Sequence, residues 1–149
     1  MKYTFSGARI LIADDNSQGC ELLEAYLADT ECDYRIATNG EEVLHVVADW
    51  QPHIILLDVM MPKLSGFEVC KAIRSNPTTA KIGIIMVTAL DQQSDIDRAV
   101  DVGTDDFLTK PIDRLDLLIR IQAMLSSLGQ QNDMERSLQY IAAVDAGGH

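Results

Sequence analysis

Basic residues and cysteines are both scarce in this chain. Its 149 residues include 12 Lys and Arg against 23 Asp and Glu, which gives a formal net charge of -11. Because nucleic-acid phosphates repel an acidic surface, we expect no nucleic-acid binding by this segment. The three cysteines, Cys20, Cys32 and Cys70, show no CxxC spacing. They therefore predict neither a zinc site nor a disulfide framework, and they favour reduced thiols in the cytoplasm.

Long apolar runs are also missing. No run approaches the length needed to span a membrane, and residues 1–7 contain no apolar signal core. We therefore expect a cytoplasmic protein that neither inserts into a membrane nor carries a secretion signal. Hydrophobic residues nevertheless make up 47% of the chain, and its length is sufficient for one domain with a sizeable core.

Short apolar runs alternate along the chain with segments of helical period, in which apolar residues recur every three or four positions. The pattern predicts strands near 9–13, 34–37, 53–58, 83–88 and 106–109. It predicts helices near 17–29, 41–49, 66–75, 93–102 and 113–127, with Gly103 ending the fourth.

Five successive strand–helix units indicate an α/β fold with a parallel sheet and helices on both faces. A closed barrel would require eight units, so the sequence favours an open, doubly wound, five-stranded sheet in a flavodoxin-like three-layer sandwich. In the strand order 2-1-3-4-5, the connections reverse direction between strands 1 and 3. Ligands bind such sheets at that point, beyond the carboxyl ends of the strands.

The domain is expected to cover residues 1–127, and residues 128–149 are expected to form a C-terminal extension. In this extension Met134, Leu138 and Ile141 recur at helical spacing after the polar segment 129–132. Three interpretations stay open: a helix that packs on the domain, a tail, or a connector to an output domain.

Polar side chains stand where four of the predicted strands end. Asp14 and Asp15 follow strand 1, Asp58 ends strand 3, Thr88 ends strand 4 and Lys110 follows strand 5. A carboxylate at the tip of a buried strand is costly unless it has partners. Three carboxylates at one edge repel each other unless a cation lies among them, and hard oxygen ligands favour Mg2+.

These residue types suit phosphoryl transfer. Mg2+ held by Asp15 and Asp58 would neutralise an incoming phosphate, and Asp58 could then attack phosphorus to give an aspartyl-phosphate. Lys110 offers a positive charge and Thr88 a hydrogen bond to the phosphoryl oxygens. Taken singly, each residue also has an ordinary interpretation, such as a helix cap at Asp14 and Asp15 or a surface lysine at 110.

The whole set resembles the receiver domain of two-component response regulators over roughly residues 8–127. The matching segments are Ile10-Leu11-Ile12-Ala13-Asp14-Asp15-Asn16, Ile55-Leu56-Leu57-Asp58-Val59-Met60-Met61-Pro62, Gly66-Phe67-Glu68, Val87-Thr88-Ala89 and Phe107-Leu108-Thr109-Lys110-Pro111. The resemblance implies that Asp58 accepts phosphate from a sensor histidine kinase or a phosphotransfer protein. It also implies that Asp15, Asp58 and the backbone carbonyl of Met60 bind Mg2+ directly, with Asp14 acting through water.

The resemblance implies further roles near the ends of strands 4 and 5. Thr88 and Lys110 would contact the phosphate, Ala89 would follow Thr88 in the motif, and the bond from Lys110 to Pro111 would be cis. Phe107, by composition an ordinary core aromatic, would be the aromatic switch that rotates when Thr88 moves. The chain would then be a phosphoacceptor rather than an enzyme.

The rotation of this ring would remodel the face made by helix 4, strand 5 and helix 5. We expect this face to form a weak homodimer on phosphorylation, because opposite charges there allow self-complementary pairing. These charges are Asp97, Asp101 and Asp105 on one side and Arg98, Arg114 and Arg120 on the other.

Other functions fit less well. A haloacid-dehalogenase-type phosphohydrolase would need an acid two residues after its nucleophile, where this chain has Met60. No Walker A pattern occurs, and an acidic cluster would repel a flavin phosphate. The alternative that stays open is a non-phosphorylated pseudo-receiver that acts as a protein-interaction module. The output is also open, whether stand-alone or through a DNA-binding or cyclic-di-GMP domain.

Overall fold

Five parallel strands form one sheet in the computed structural model, which describes residues 3–129. The strands are β1 (Arg9–Ala13), β2 (Asp33–Ala37), β3 (Ile54–Leu57), β4 (Gly83–Thr88) and β5 (Asp106–Thr109). Their order is β2-β1-β3-β4-β5, and every neighbouring pair is parallel. The predicted fold class and strand order are confirmed.

Helices follow each strand, and side chains fix where several of them begin. The helices are α1 (Ser17–Leu27), α2 (Gly40–Trp50), α3 (Gly66–Ser75), α4 (Gln93–Asp101) and α5, over residues 114–129. Asn16, Asn39 and Ser65 each accept a hydrogen bond from the backbone N–H three residues later. These caps set the direction in which α1, α2 and α3 leave the loops at the carboxyl edge of the sheet.

The predicted end of α1 was two residues too late. The N–H and hydroxyl of Thr30 both donate to the carbonyl oxygen of Leu27, at 3.0 and 2.7 Å. This carbonyl is therefore satisfied from outside the helix, and α1 ends at Leu27.

Alternating strand residues divide the core into two layers, as the period of two along a strand requires. One layer lies under α1 and α5 and includes Ile10, Ile12, Ile54, Leu56, Ile85, Val87, Leu23 and Leu118. The other lies under α2, α3 and α4 and includes Leu11, Ala13, Ile55, Leu57, Met86, Val47, Val69 and Ala99. The three-layer sandwich is therefore built by near-continuous apolar strands that are buried on both faces.

At the amino edge of the sheet, an arginine of α3 joins the loop before β4 to the loop before β5. The guanidinium of Arg74 donates to the backbone oxygens of Gly103, Ala80 and Ile82, at 2.6–2.8 Å, and pairs with Asp105 at 2.6 Å. Gly103 has a φ of +96° and follows α4, as predicted for the residue that ends this helix. The opposite, carboxyl edge remains open for a functional site.

Helix α5 continues through residue 129, two residues beyond its predicted end. Residues 130–149 lie outside the described residues, so the role of the extension and the domain boundary near 127 stay predictions. Among residues 3–129, no helix is both long and apolar enough to cross a membrane.

Candidate functional site

Two acidic side chains leave the carboxyl edge of the sheet side by side. Asp14 follows β1 and Asp58 follows β3, and these two strands pair in a register that sets Ala13 opposite Leu57. The backbone N–H of Asp58 donates to the carbonyl of Ala13 at 2.9 Å, which extends the pairing to the acids. Asp14 is 2% exposed and Asp58 is 6% exposed, so both carboxylates are buried.

The ammonium of Lys110 bridges these two carboxylates. Its Nζ lies 2.8 Å from Asp14 Oδ2 and 3.0 Å from Asp58 Oδ2. Burial lowers the pKa of Lys110, but the hydrogen bonds and negative charges of the two aspartates outweigh burial, and the net pKa is raised. The backbone N–H of Lys110 donates to the carbonyl of Thr88 at 2.8 Å, so β4 holds the lysine in place.

The second oxygen of each carboxylate accepts a backbone hydrogen bond. Asp14 Oδ1 accepts from the N–H of Asn16 at 2.9 Å, and Asp58 Oδ1 accepts from the N–H of Met60 at 3.1 Å. The side chain that caps α1 is Asn16, so the interpretation of Asp14 and Asp15 as caps of this helix is wrong. Both buried acids are therefore fixed in orientation through both of their oxygens.

The oxygens near Asp58 fit a magnesium site that has few protein ligands. Within residues 3–129, no group of three or more His, Cys, Asp or Glu side chains is arranged to hold a metal ion. Mg2+, however, is commonly bound through one or two carboxylates together with waters. Asp15, which is exposed, together with Asp58 and the backbone carbonyl of Met60, supplies hard oxygen donors of this kind. The chemistry of this donor set fits the ion.

The remaining predicted residues lie along the ends of β4 and β5. Thr88 is fully buried, and its Oγ1 accepts a hydrogen bond from the N–H of Leu90 at 3.4 Å. Ala89 is exposed beside it. Phe107 is partly buried against the layer under α2, α3 and α4. The peptide bond from Lys110 to Pro111 is cis, as the resemblance implied.

Two contacts that α1 makes with this site were not predicted from the sequence. The Tyr26 hydroxyl donates to the carbonyl oxygen of Ile112 at 2.8 Å, which ties α1 to the loop after Lys110. The Cys20 thiol donates to the carbonyl oxygen of Asp14 at 3.3 Å. Burial, followed by the charge of Asp14, raises the pKa of Cys20 to about 11, so this cysteine stays a neutral thiol. Both contacts depend on how α1 packs on the sheet, which hydrophobic periodicity does not show.

This combination of sheet order and site residues is matched by a known family. Residues 10–122 match the family described as "Response regulator receiver domain". Because the match covers well over half of the chain, the protein belongs to the response regulator receiver domain family. The predicted resemblance is thereby confirmed.

Individual relatives support the same assignment. The chain is 38% identical over 145 residues to the response regulator PleD of Caulobacter vibrioides, covering 93% of this chain and 32% of PleD. It is 39% identical over 117 residues to the DNA-binding dual master transcriptional regulator RpaA of Synechocystis, covering 78% of this chain and 48% of RpaA. The chain thus spans about a third to a half of the length of these relatives.

Solved structures agree with this fold. A putative response regulator from Chloroflexus aurantiacus superposes with a TM-score of 0.77 at 31% identity, covering 80% of this chain and 98% of that structure. The BeF3-activated receiver domain of DrrB superposes with a TM-score of 0.73 at 27% identity, covering 80% and 97% respectively.

Proposed function

We propose that this chain is a cytoplasmic phosphoacceptor receiver domain that takes a phosphoryl group onto Asp58. The donor is a phosphohistidine on a sensor histidine kinase or a phosphotransfer protein. The observation that carries this proposal is the buried Asp58 carboxylate, bridged to Asp14 by the ammonium of Lys110 in a member of this family. A carboxylate beside a fixed cation is suited to receive a group with anionic oxygens.

In the transfer step, an oxygen of the Asp58 carboxylate attacks phosphorus and forms a new O–P bond. The bond from phosphorus to the imidazole nitrogen breaks, and its electron pair stays on that nitrogen. Lys110, now 3.0 Å from Asp58 Oδ2, pairs with the oxygens of the arriving phosphoryl group. The chain thereby acts as an acceptor with its own transfer chemistry rather than as an enzyme with a separate substrate.

Asp15, Asp58 and the backbone carbonyl of Met60 would hold Mg2+ directly, and Asp14 would act through water. When bound, the ion neutralises the negative charge that accumulates between the carboxylates and the phosphoryl oxygens. Lys110 already offsets part of the charge of Asp14 and Asp58, so the ion adds to this neutralisation.

Thr88 and Phe107 would transmit the effect of phosphorylation to the face formed by α4, β5 and α5. Thr88 ends β4 and is buried, and Phe107 lies in the neighbouring strand β5 and is partly buried. In the proposal, Thr88 shifts towards the phosphoryl group and the ring of Phe107 turns inward. The effect is a population shift between two states of the face formed by α4, β5 and α5.

This α4–β5–α5 face is proposed to form a weak homodimer in the phosphorylated state. Charge pairing was the predicted basis, but Arg120 already contacts Asp106 at 2.7 Å and Asp116 at 2.9 Å within its own chain. Arg98 lies over the ring of Phe67, 4.5 Å from its centroid. These arginines are therefore engaged internally, and charge alone is a poor basis for the dimer.

Apolar contact gives the dimer better support. Val100 on α4 and Leu115 and Ile119 on α5 are 65, 53 and 48% exposed. Burial of such side chains across a twofold axis would favour association. Sedimentation with and without beryllofluoride, at high protein concentration, tests the idea. A protein that is monomeric in both conditions would rule out the homodimer and leave a heterologous partner for this face.

The output of the signal is a separate question. RpaA is named as a DNA-binding regulator, and this chain covers only 48% of that protein. We propose that the receiver signals either by docking alone or through a DNA-binding or cyclic-di-GMP domain. The length of the native reading frame distinguishes these arrangements.

Phosphorylation is tested by mass spectrometry of the intact protein after incubation with Mg2+ and acetyl phosphate. We expect a gain of one phosphoryl group, which is lost in Asp58→Asn and retained in Asp49→Asn, a matched change at an exposed position of α2. A gain that persists in Asp58→Asn would place the modification elsewhere. No gain in the native protein would favour the pseudo-receiver that acts as an interaction module.

A further inference from the structure

The first turn of α1 lies unusually close to the bridged carboxylates. A Cβ atom built on Gly19 would lie 2.6 Å from Asp14 Oδ2 and 3.6 Å from Lys110 Nζ. The first of these distances is shorter than real Cβ contacts allow, so a side chain at this position would force a neighbour to move.

The backbone at this position is held in place. The N–H of Gly19 donates to the capping side chain of Asn16 at 3.1 Å. The next residue, Cys20, is buried and its thiol donates to the carbonyl of Asp14 at 3.3 Å. The helix therefore cannot retreat without losing its cap and this contact, and the Asp14 carboxylate is the group that must yield.

Asp14 in turn cannot move without cost to the site. Its Oδ2 is the oxygen that contacts Lys110, at 2.8 Å, and its Oδ1 accepts from the N–H of Asn16 at 2.9 Å. A displaced Asp14 would release one end of Lys110, whose ammonium also lies 3.0 Å from Asp58. The position of the lysine at the phosphoacceptor thus depends on free space beside Asp14.

We propose that Gly19 is a positioning residue of this site. Its missing side chain leaves room for the Asp14 carboxylate to hold Lys110 against Asp58. A glycine inside a helix is otherwise unfavourable relative to alanine, so a close contact of this kind gives the position a physical reason for being glycine. The consequence for phosphorylation rests on the proposed function, whereas the packing relation does not.

A double-mutant cycle in thermal unfolding, with EDTA present, tests the packing relation. Gly19→Ala is expected to lower the melting temperature of the native sequence. In the Asp14→Ala background, where no carboxylate stands in the way, the same change should raise it. Gly129→Ala is the matched control, because no atom of residues 3–129 lies within 4 Å of a Cβ at this position of α5, and it should raise the melting temperature in both backgrounds.

Asp14→Asn separates shape from charge. Asparagine keeps the size of the side chain, so Gly19→Ala should still lower the melting temperature in that background. If Gly19→Ala shifts the melting temperature equally in the native and Asp14→Ala backgrounds, the proposal is overturned.

The rate of labelling by acetyl phosphate provides the second measurement. Gly19→Ala should slow it about tenfold or more, since a misplacement of about 1 Å at a reacting group can cost a factor of about a hundred. An unchanged rate in a protein that is phosphorylated would also overturn the proposal. If the native protein takes up no phosphoryl group but the cycle shows the change of sign, the proposed function fails and the packing role of Gly19 stands.

Discussion

Replacing Lys110 with alanine is expected to destabilise the metal-free protein, because its ammonium lies against two buried carboxylates. Asp14 and Asp58 have side chains that are 3 and 8% exposed, and each contacts Lys110 Nζ at 3.0 Å or less. Without the lysine, two negative charges face each other at the carboxyl edge with little access to water.

The size of the effect follows from this burial. Removing one partner of a buried ion pair typically costs about 3–5 kcal/mol. The Lys110 side chain is 28% exposed, so water can enter the vacated space. We therefore take the low end, about 3 kcal/mol, which corresponds to a fall of about 10 °C in melting temperature for a domain of this size.

The measurement is thermal unfolding followed by far-ultraviolet circular dichroism, in EDTA and in Mg2+. Lys63→Ala is the matched control, because Lys63 pairs with Glu41 at 3.4 Å while both side chains are more than half exposed. This control should cost less than about 1 kcal/mol. Lys110→Met keeps most of the apolar stem and removes the charge, so it should resemble Lys110→Ala if charge is the cause.

Mg2+ should restore much of the loss in Lys110→Ala, because the ion replaces the missing positive charge. At about one hundred times the dissociation constant, ligand binding stabilises a fold by about 2.7 kcal/mol. If Lys110→Ala in EDTA lost no more stability than Lys63→Ala, the ammonium would not stabilise the two buried carboxylates. Loss of Mg2+ binding in Lys110→Ala would contradict the proposed role of the amine, whose target is the phosphoryl group rather than the metal.

Three further outcomes are expected. In Asp15→Ala, the rise in melting temperature with Mg2+ should largely disappear, while unfolding in EDTA should change little because Asp15 is exposed. Burial and the charge of Arg9 lower the pKa of His53, whose Nδ1 accepts from the N–H of Arg9 at 2.9 Å. The unfolded chain therefore binds more protons, so the free energy of unfolding should fall as the pH drops below 6.5. Urea titrations at pH 7.5 and 5 should show this fall, and it should be smaller in His53→Asn. Arg74→Ala should lower the free energy of unfolding in urea by about 3 kcal/mol, because three backbone carbonyls and Asp105 lose their donor. Arg74→Lys should recover less than half of this loss.

Local patterns were sufficient to place the five strands, and the strand order followed from the doubly wound fold class that five strand–helix units favour. Strands β1, β4 and β5 have the predicted bounds, and the physical reason is clearest for β4, which is buried along its whole length and therefore needs nearly continuous apolar residues. The end of α1 was missed because it depends on the Thr30 hydroxyl reaching back to Leu27, and helical periodicity carries no information about such a bond.

Charged residues could be counted in the sequence, but their partners could not be assigned. Arg120 was expected to pair with acidic side chains across a dimer interface, whereas it pairs with Asp106 and Asp116 of its own chain. Asp105, in the loop before β5, pairs with Arg74 of α3, which is not part of the α4–β5–α5 face. Pairings of exposed charges depend on distances between elements, which only the packing of the helices sets.

The apolar runs alone were enough to place acids, a hydroxyl and an amine at the ends of strands, because each of these residues ends or follows such a run. How these side chains meet depends on the packing of the whole domain. Lys110 is 96 residues from Asp14 and 52 from Asp58, yet its ammonium joins them. The approach of Gly19 to the same carboxylate is likewise a consequence of how α1 packs on the sheet. Such contacts arise from the parallel register and from close packing, which bring together residues that no local pattern relates.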